Sequence, residues 1–317
     1  MKITGTRTTR TAAGIALVTV AALGLSACGD DGDTNSGSGG GVVTTDGSST
    51  VAPLTSVAAE LYENESGNSV TVGTSGTGGG FEKFCKGETD VSNASRPIDD
   101  DEKAACAAAN IDFTELVVAN DALTVVVNKD NNFVDCLTTE QLKRIWEPDS
   151  SVDNWNQVDP SFPDEKIALF GPGTDSGTFD YFTDEINGEE GASRTDYSPS
   201  EDDNVIVQGV SGTAGGLGYF GFTYFEENAD KLKAVGIDSG DGCVAPSAES
   251  VQDGSYTPLA RPLFVYVSKP AFAEAAVAGF VQYFVENDAQ IAEEAQFVAL
   301  NDAQRAELES SFEALNG

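Results

Sequence analysis

One arrangement occurs three times in this chain: a short apolar strand, a turn rich in glycine, serine and threonine, and then an amphipathic helix. The turns lie at residues 47–50, 75–80 and 174–178. In a sheet with parallel strands such turns meet at the carboxyl ends of the strands, where helix amino ends offer unpaired N–H groups and partial positive charge. The pattern therefore predicts an α/β fold in which the three turns share one anion-binding site.

Helix capping is the alternative explanation of each turn, because Ser and Thr commonly cap helices. Capping is the better explanation of one such turn alone, whereas three of the same kind favour a shared site. Each helix start favours an anion by about 0.3–2 kcal/mol, and each charge-assisted hydrogen bond contributes about 1.5–3 kcal/mol. Several together reach micromolar affinity, about −8 kcal/mol.

The composition excludes several classes of function. The chain has 317 residues, enough for about two domains. Its 17 basic and 52 acidic side chains give a net charge of −35 (17 − 52), which disfavours binding to nucleic acid. It has no histidine, so Ser-His-Asp triads, Cys-His dyads and nearly all zinc or copper sites are excluded. We therefore expect no metal and no cofactor.

The amino-terminal segment is typical of an export signal. Basic side chains precede an apolar run at residues 12–25 that is too short for a comfortable membrane span. The run ends in LSAC at residues 25–28, which is similar to a bacterial lipobox, in which Cys28 receives a diacylglyceryl group. An ordinary signal peptide cleaved before the cysteine is the alternative. We predict a lipoprotein signal peptide over residues 1–27 and a flexible tether over residues 28–41.

Four further cysteines follow the tether, at positions 85, 106, 136 and 243. An even number in an exported chain indicates two disulfides, for which three pairings exist. We favour Cys85 with Cys106 and Cys136 with Cys243, because the first pair joins one local segment and the second stays within the middle domain. A four-thiolate metal site is the alternative, but no pair has Cys-x-x-Cys spacing.

Asp90 and Arg96 belong to the stretch TDVSNASRPI at residues 89–98. A carboxylate 4 Å from a bound anion costs about 4 kcal/mol at an effective dielectric near 20. The contact becomes attractive when the anion carries a proton to donate, as phosphate does at neutral pH and sulfate does not. We predict that Asp90 accepts the ligand's proton and that Arg96 binds a tetrahedral oxyanion. The alternatives are that Asp90 caps a turn or pairs with a nearby lysine, and that Arg96 pairs with Asp99 or Asp100.

Six segments together resemble the phosphate-binding subunit of the Pst-type phosphate ABC transporter. They are DGSSTV (46–51), GTGGGF (76–81), TDVSNASRPI (89–98), GTDSGTFDYF (173–182), VQGVSG (207–212) and YTPLARPL (256–263). They occur in the family's order and approximate spacing, so the resemblance covers essentially everything after the tether.

The resemblance implies a two-lobed periplasmic-binding-protein fold of type II, with phosphate clamped in a cleft between the lobes. Two crossings between the lobes are expected near residues 118–123 and 258–262. Lobe I would then comprise residues 42–119 plus 258–317, and lobe II residues 120–257. Closure about the crossings would bury the ion.

The resemblance also implies a role for each motif residue. The implied phosphate-binding residues are Ser49, Thr50, Ser75, Thr77, Asp90, Arg96, Ser176, Gly177 and Thr178. Some members of the family carry an arginine a few residues before the Ser-Gly-Thr triplet, where this chain has GPG at residues 171–173. Arg96 would have to supply that charge here.

The function expected is that of a monomeric binding protein, not an enzyme, held to the outer face of the cytoplasmic membrane by a lipid anchor. It would capture inorganic phosphate and deliver it to the permease of a phosphate ABC transporter. One alternative is a binding protein or sensor for another oxyanion without a transport partner. A second is an exported serine-dependent hydrolase, which the lack of histidine and of a G-x-S-x-G motif disfavours.

Overall fold

The computed structural model describes residues 41–316. The predicted signal peptide and the predicted lipid-attachment site at Cys28 lie outside the described residues. Within the described range, no helix is long and apolar enough to cross a membrane. The same range contains no group of three or more His, Cys, Asp or Glu side chains arranged to hold a metal ion.

The described residues form an α/β structure, as the sequence predicts. Its strands are β1 (Val42–Gly47), β2 (Ser69–Val72), β3 (Val91–Ala94), β4 (Phe113–Asn128), β5 (Cys136–Thr138), β6 (Ala168–Gly171), β7 (Ser198–Pro199), β8 (Gly216–Gly221), β9 (Leu232–Ala234), β10 (Gly236–Asp238), β11 (Cys243–Val244) and β12 (Ala260–Ser268).

The helices alternate with these strands through most of the chain. They are α1 (Ala52–Ser66), α2 (Thr77–Phe84), α3 (Asp100–Ala108), α4 (Thr139–Trp146), α5 (Trp155–Val158), α6 (Gly177–Phe182), α7 (Asp203–Gly212), α8 (Phe222–Glu227), α9 (Ala248–Gln252), α10 (Lys269–Phe272), α11 (Ala275–Glu286), α12 (Asp288–Glu294) and α13 (Asp302–Asn316). A π-helical turn, Thr183–Asn187, continues α6.

The main sheet has the strand order β2-β1-β3-β12-β4-β8-β6-β7, with β9 also paired to β4. Strands β2, β1 and β3 are parallel, as are β8, β6 and β7, whereas β12 and β4 run antiparallel to their neighbours. A second, three-stranded sheet has the order β11-β10-β5. The parallel strands at both ends of the main sheet place several strand-to-helix turns at carboxyl ends, where ligands bind in α/β folds.

Strand β4 is longer than the sequence predicts. The β-branched runs at residues 116–119 and 123–127 suggest two strands, but the structure has one strand from Phe113 to Asn128. Its first part pairs with β12 and its second part with β8. Because both parts have a partner strand, the backbone hydrogen bonds are satisfied along the whole length and nothing requires a turn between the runs.

Two large apolar clusters lie on either side of the middle of β4. One is formed by residues between Ala122 and Leu259, with Val298. The other is formed by residues between Val43 and Ala119 and between Leu263 and Leu308. The change from one cluster to the other falls near residues 119–122 and 259–263. The lobe boundaries stay a prediction, because Gly40–Gly317 form one compact unit.

Two disulfides are present in the structure, and they are the two that we favoured. Cys85–Cys106 joins the end of α2 to α3, and Cys136–Cys243 joins β5 to β11 in the small sheet. Each disulfide joins two elements that are separated along the sequence, by 21 and 107 residues respectively. Both therefore reduce the conformational freedom of the unfolded chain.

Candidate functional site

The first two glycine and serine turns lie side by side at the carboxyl ends of β1 and β2. The backbone N–H of Gly76 donates to the carbonyl of Gly47 at 2.9 Å, which joins the two turns directly. Gly76 has φ of 79°, in the region that favours glycine. A Cβ atom on Gly80 would lie 2.5 Å from the Cα of Gly47, so the close approach of helix α2 to the first turn requires a glycine there.

Helices α1 and α2 begin at these turns without a side-chain cap. The structure shows no hydrogen bond from a capping side chain at Val51, which precedes α1, or at Gly76, which precedes α2. The alternative explanation of these turns as helix caps is therefore wrong for both. The hydroxyl groups of the two turns therefore do not cap these helices, and the positive ends of both helix dipoles lie at the same place.

A cleft of about 470 Å³ opens where the two helices begin. One side is formed by Ser48, Ser49, Thr50, Ser75, Thr77, Ser95, Arg96, Arg261 and the glycines at positions 76, 78 and 79; the other side is formed by Asp180, Tyr181, Asp184, Glu185 and Glu190. The structure thus brings together five of the residues that the sequence predicts as phosphate ligands, namely Ser49, Thr50, Ser75, Thr77 and Arg96.

The third turn adjoins this cleft without lining it. A Cβ atom on Gly177 would lie 3.5 Å from Thr50 Oγ1, so the start of α6 lies close to the first turn. The hydroxyl of Ser176 accepts the N–H of Thr178 at 3.2 Å and caps α6. Thr178 lines a separate cavity of about 160 Å³. For this turn the helix-capping alternative is correct, because Ser176 caps α6.

Asp90 lies away from the cleft, which contradicts its predicted role as the acceptor of the ligand's proton. In the parallel pair of β1 and β3, Thr45 is opposite Val91, so Asp90 lies at the amino end of β3. The turns that line the cleft follow the carboxyl ends. The Asp90 carboxylate accepts hydrogen bonds from the N–H and the hydroxyl of Thr44, both at 2.8 Å. Its role is thus to join the amino end of β3 to β1.

Arg96 lines the cleft but is already paired. Its guanidinium makes two hydrogen bonds to the Glu102 carboxylate, at 2.9 and 2.8 Å, and lies 4.0 Å from Asp99. The hydrogen bond with Glu102 raises the pKa of Arg96 further. The predicted alternative, an ion pair with Asp99, is thus present only as a long contact. Glu102 is the main partner of Arg96. A ligand would share Arg96 with that carboxylate.

Arg261 is a cleft residue that the sequence analysis did not single out. Its Nη2 donates to Thr50 Oγ1 at 3.1 Å, its Nε lies 3.3 Å from the Asp121 carboxylate, and its guanidinium carbon lies 3.5 Å from the centre of the Tyr181 ring. Burial raises the pKa of Asp121, and Arg261 opposes that shift. The one sequence feature that could have indicated Arg261 is its position within the predicted second crossing, residues 258–262.

Asp46 lies directly behind the second turn and was also missed. Its Oδ1 accepts the N–H groups of Gly47 and Ser75, at 2.7 and 2.9 Å, and the hydroxyl of Ser75 at 2.6 Å. Its Oδ2 pairs with Lys83 of α2. Burial alone would raise the pKa of Asp46, but hydrogen bonds from Lys83, Ser75 and Gly47 outweigh it and lower the pKa to about 2. Asp46 is therefore ionised at neutral pH.

The acidic side of the cleft, which contains Asp180, Asp184, Glu185 and Glu190, weakens the electrostatic attraction of an anion. Burial raises the pKa of Asp180, and the charge of Glu190 adds to this effect. Burial also raises the pKa of Glu185, with a further contribution from Asp184. Since Arg96 and Arg261 each have a carboxylate partner, the site can hold an anion mainly through directed hydrogen bonds from hydroxyl groups, helix starts and the two guanidinium groups.

Comparisons with known proteins agree with this geometry. The sequence profile of the PBP superfamily domain matches residues 32–288. Protein SphX of Synechococcus elongatus is 49% identical over 263 residues, which is 82% of this chain and 77% of that protein. The phosphate-binding protein PstS of Staphylococcus saprophyticus is 41% identical over 300 residues, 94% of this chain and 92% of that protein.

A solved structure is similar over most of the chain. The crystal structure of a "possible phosphate binding protein" from Planctomyces limnophilus superposes with a TM-score of 0.84 at 44% identity, covering 88% of this chain and 99% of that one. These findings confirm both the periplasmic-binding-protein fold and the family resemblance drawn from the motifs.

Proposed function

The chain belongs to the family of the phosphate-binding proteins PstS and SphX, and from this premise we propose that it captures inorganic phosphate outside the cytoplasmic membrane and delivers it to an ABC permease. It is a binding protein and not an enzyme, as its family membership indicates. The observation that carries the proposal is the convergence of two uncapped helix starts, with their hydroxyl groups, on one cleft that also holds two arginines.

The proposed ligands are the residues that line this cleft. Ser49 and Thr50 contribute from the turn before α1, Thr77 from the start of α2, and Arg96 and Arg261 contribute their guanidinium groups. A charge-assisted hydrogen bond contributes about 1.5–3 kcal/mol, and micromolar affinity requires about 8 kcal/mol. Four or five such contacts are therefore sufficient.

The third turn would join the site when the cleft closes. Residues 42–119 plus 258–317 would form one lobe and residues 120–257 the other, with hinges where β4 and β12 pass between the two apolar clusters. The closeness of Gly177 to Thr50 supports this arrangement, because the start of α6 lies next to the first turn. A decrease in radius of gyration on adding phosphate, measured by small-angle X-ray scattering, would support closure, and an unchanged radius would contradict it.

Calorimetry of the delipidated protein tests the proposed ligand. We expect phosphate to bind one to one, arsenate to compete and sulfate to compete weakly or not at all. Thr50→Val should weaken phosphate binding, whereas Arg144→Gln, remote from the cleft residues, should not. Absence of phosphate binding would refute the proposal, and turnover of a phosphate ester would favour the hydrolase instead.

Attachment to the membrane through Cys28 is part of the proposal. It is supported by the order of charged residues, apolar run and LSAC at the amino terminus. Cells grown with labelled palmitate should incorporate label into the wild-type protein and none into Cys28→Ala. Equal labelling would contradict the anchor.

A second candidate function is that of a sensor, which would bind the ion at the same site but have no transport partner. Deleting the gene should lower phosphate uptake under phosphate limitation if the protein serves a permease. Unchanged uptake, with altered expression of phosphate-responsive genes, would favour the sensor.

A further inference from the structure

The hydrogen bond between Ser75 and Asp46 has a direction that the structure determines. Ser75 Oγ lies 2.6 Å from Asp46 Oδ1, and all other partners of this carboxylate are donors: the N–H groups of Gly47 and Ser75 and the ammonium of Lys83. Asp46 is only 8% exposed. Because the ionised carboxylate has no proton to give, Ser75 must be the donor in this pair.

The hydroxyl of Ser75 can consequently only accept a hydrogen bond from a ligand. A serine hydroxyl has one proton and two lone pairs, and here the proton is directed at Asp46. Ser75 is itself exposed in the cleft wall. What it offers to the cleft is a lone pair, the opposite of what an anion-binding hydroxyl usually provides.

Thr50, on the neighbouring turn, has the opposite polarity. Its Oγ1 accepts a hydrogen bond from Arg261 at 3.1 Å, so its own proton is free to be donated. Both hydroxyls line the same cleft. An ion bound there would meet a donor at Thr50 and an acceptor at Ser75.

We propose that Asp46 is a positioning residue which, by holding the Ser75 proton, makes the cleft select tetrahedral oxyanions that carry a proton of their own. This inference rests on the proposed function. Phosphate keeps a proton at neutral pH and can donate it to Ser75 Oγ, whereas an oxygen of sulfate would face a lone pair there. The discrimination that the sequence assigns to Asp90 is thus placed on a serine backed by a buried carboxylate.

Competition calorimetry on the purified whole protein, with phosphate as ligand and sulfate as competitor, tests this. Ser75→Ala should lower phosphate affinity about tenfold or more and leave sulfate binding equal or tighter, so that the phosphate-to-sulfate ratio falls. Thr50→Val should weaken both ions and leave the ratio unchanged. Ser75 is exposed, so the alanine variant should keep its fold, which circular dichroism checks.

Variants of the two aspartates separate the positioning role from a structural one. Asp46→Ala removes the acceptor of the Ser75 proton, so it should lower the ratio in the wild-type background and cause no further decrease in the Ser75→Ala background, because it acts through that hydroxyl. Asp90→Ala is the matched control and should leave the ratio unchanged, since Asp90 contacts Thr44 outside the cleft.

The outcomes distinguish this inference from the proposed function. A wild-type protein that binds no phosphate refutes the function itself. A wild-type protein that binds phosphate, together with a Ser75→Ala variant that keeps the wild-type ratio, overturns only the role of Ser75 and Asp46. A change of ratio in Asp90→Ala equal to that in Asp46→Ala would also overturn it.

Discussion

Arg261 and Thr50 are joined by a hydrogen bond of 3.1 Å although 211 positions separate them in the chain. The bond connects β12, which pairs with the first part of β4, to the turn that precedes α1. Arg261 also pairs with Asp121 of β4 and stacks on Tyr181. One side chain therefore links the binding turn, the shared central strand and the acidic side of the cleft.

Replacing Arg261 with glutamine should lower both stability and phosphate affinity. Asp121 would be left buried without its partner, and removing one member of a buried pair costs about 3–5 kcal/mol. We expect the lower end of this range, since Arg261 is partly exposed, together with about a tenfold or greater loss of phosphate affinity. Urea unfolding and calorimetry measure the two effects.

Arg261→Lys is the matched control for charge. The ammonium can still compensate Asp121, so most of the stability should return. The affinity should not, because lysine lacks the planar group that contacts Thr50, Asp121 and the Tyr181 ring together. Wild-type affinity in the lysine variant would show that charge alone is required.

Glu102→Gln should strengthen phosphate binding by releasing the charge of Arg96. Glutamine can still accept the N–H of Asp99, so the capping box of α3 remains intact. Because Arg96 is partly exposed, the change in stability should be within about 1 kcal/mol. Calorimetry at low and at high salt should show a several-fold gain in affinity that decreases with salt.

Arg96→Gln provides the opposite change at the same pair. It should weaken phosphate binding, and combining it with Glu102→Gln should remove the gain that the latter gives alone. If Glu102→Gln strengthens binding equally in both backgrounds, Arg96 is not the group that it releases.

The sequence identifies the turns because their signal is local. Glycine, serine and threonine before an amphipathic helix are enough to predict that residues such as Ser49 and Thr77 line the cleft. It fails for Asp90 because the stretch 89–98 spans a whole strand, and the pattern does not say which end faces the turns. The pairing of Thr45 with Val91 decides this.

Arg261 and Asp46 escaped the sequence analysis for different reasons. The contacts of Arg261 depend on the antiparallel pairing of β12 with β4, which joins residues about 140 positions apart. Asp46 precedes Gly47 in a dipeptide that is typical of turns, and its partner Lys83 lies at the far end of α2. No local pattern indicates either relationship.

Removing the two disulfides should have unequal effects. Cys85–Cys106 closes a loop of 21 residues and Cys136–Cys243 one of 107. Loop-closure entropy then predicts a loss of about 3 kcal/mol for the first and about 5 kcal/mol for the second. Urea unfolding of the paired alanine variants measures both losses. The reverse order would indicate that packing of the buried Cys85 and Cys106, rather than loop length, controls the effect.

Asp203 should make stability depend on pH. Burial raises its pKa from 3.8 to about 6, with smaller contributions from Asp202 and Glu201. The folded state therefore holds this proton more tightly than the unfolded state, so stability falls as pH rises from about 4 to about 6. Asp203→Asn should stabilise the protein by about 1–2 kcal/mol at pH 8, allowing for partial exposure and the lost helix-dipole interaction.

The gain from Asp203→Asn should shrink to about a third at pH 4.5, where the folded protein keeps Asp203 protonated and the unfolded chain is mostly ionised. Asp130→Asn, at an exposed position, is the control and should change stability little at either pH. Urea unfolding at the two pH values measures the difference. A gain that is the same at both would show that the asparagine acts through packing or capping of α7, and that burial does not hold a proton on Asp203.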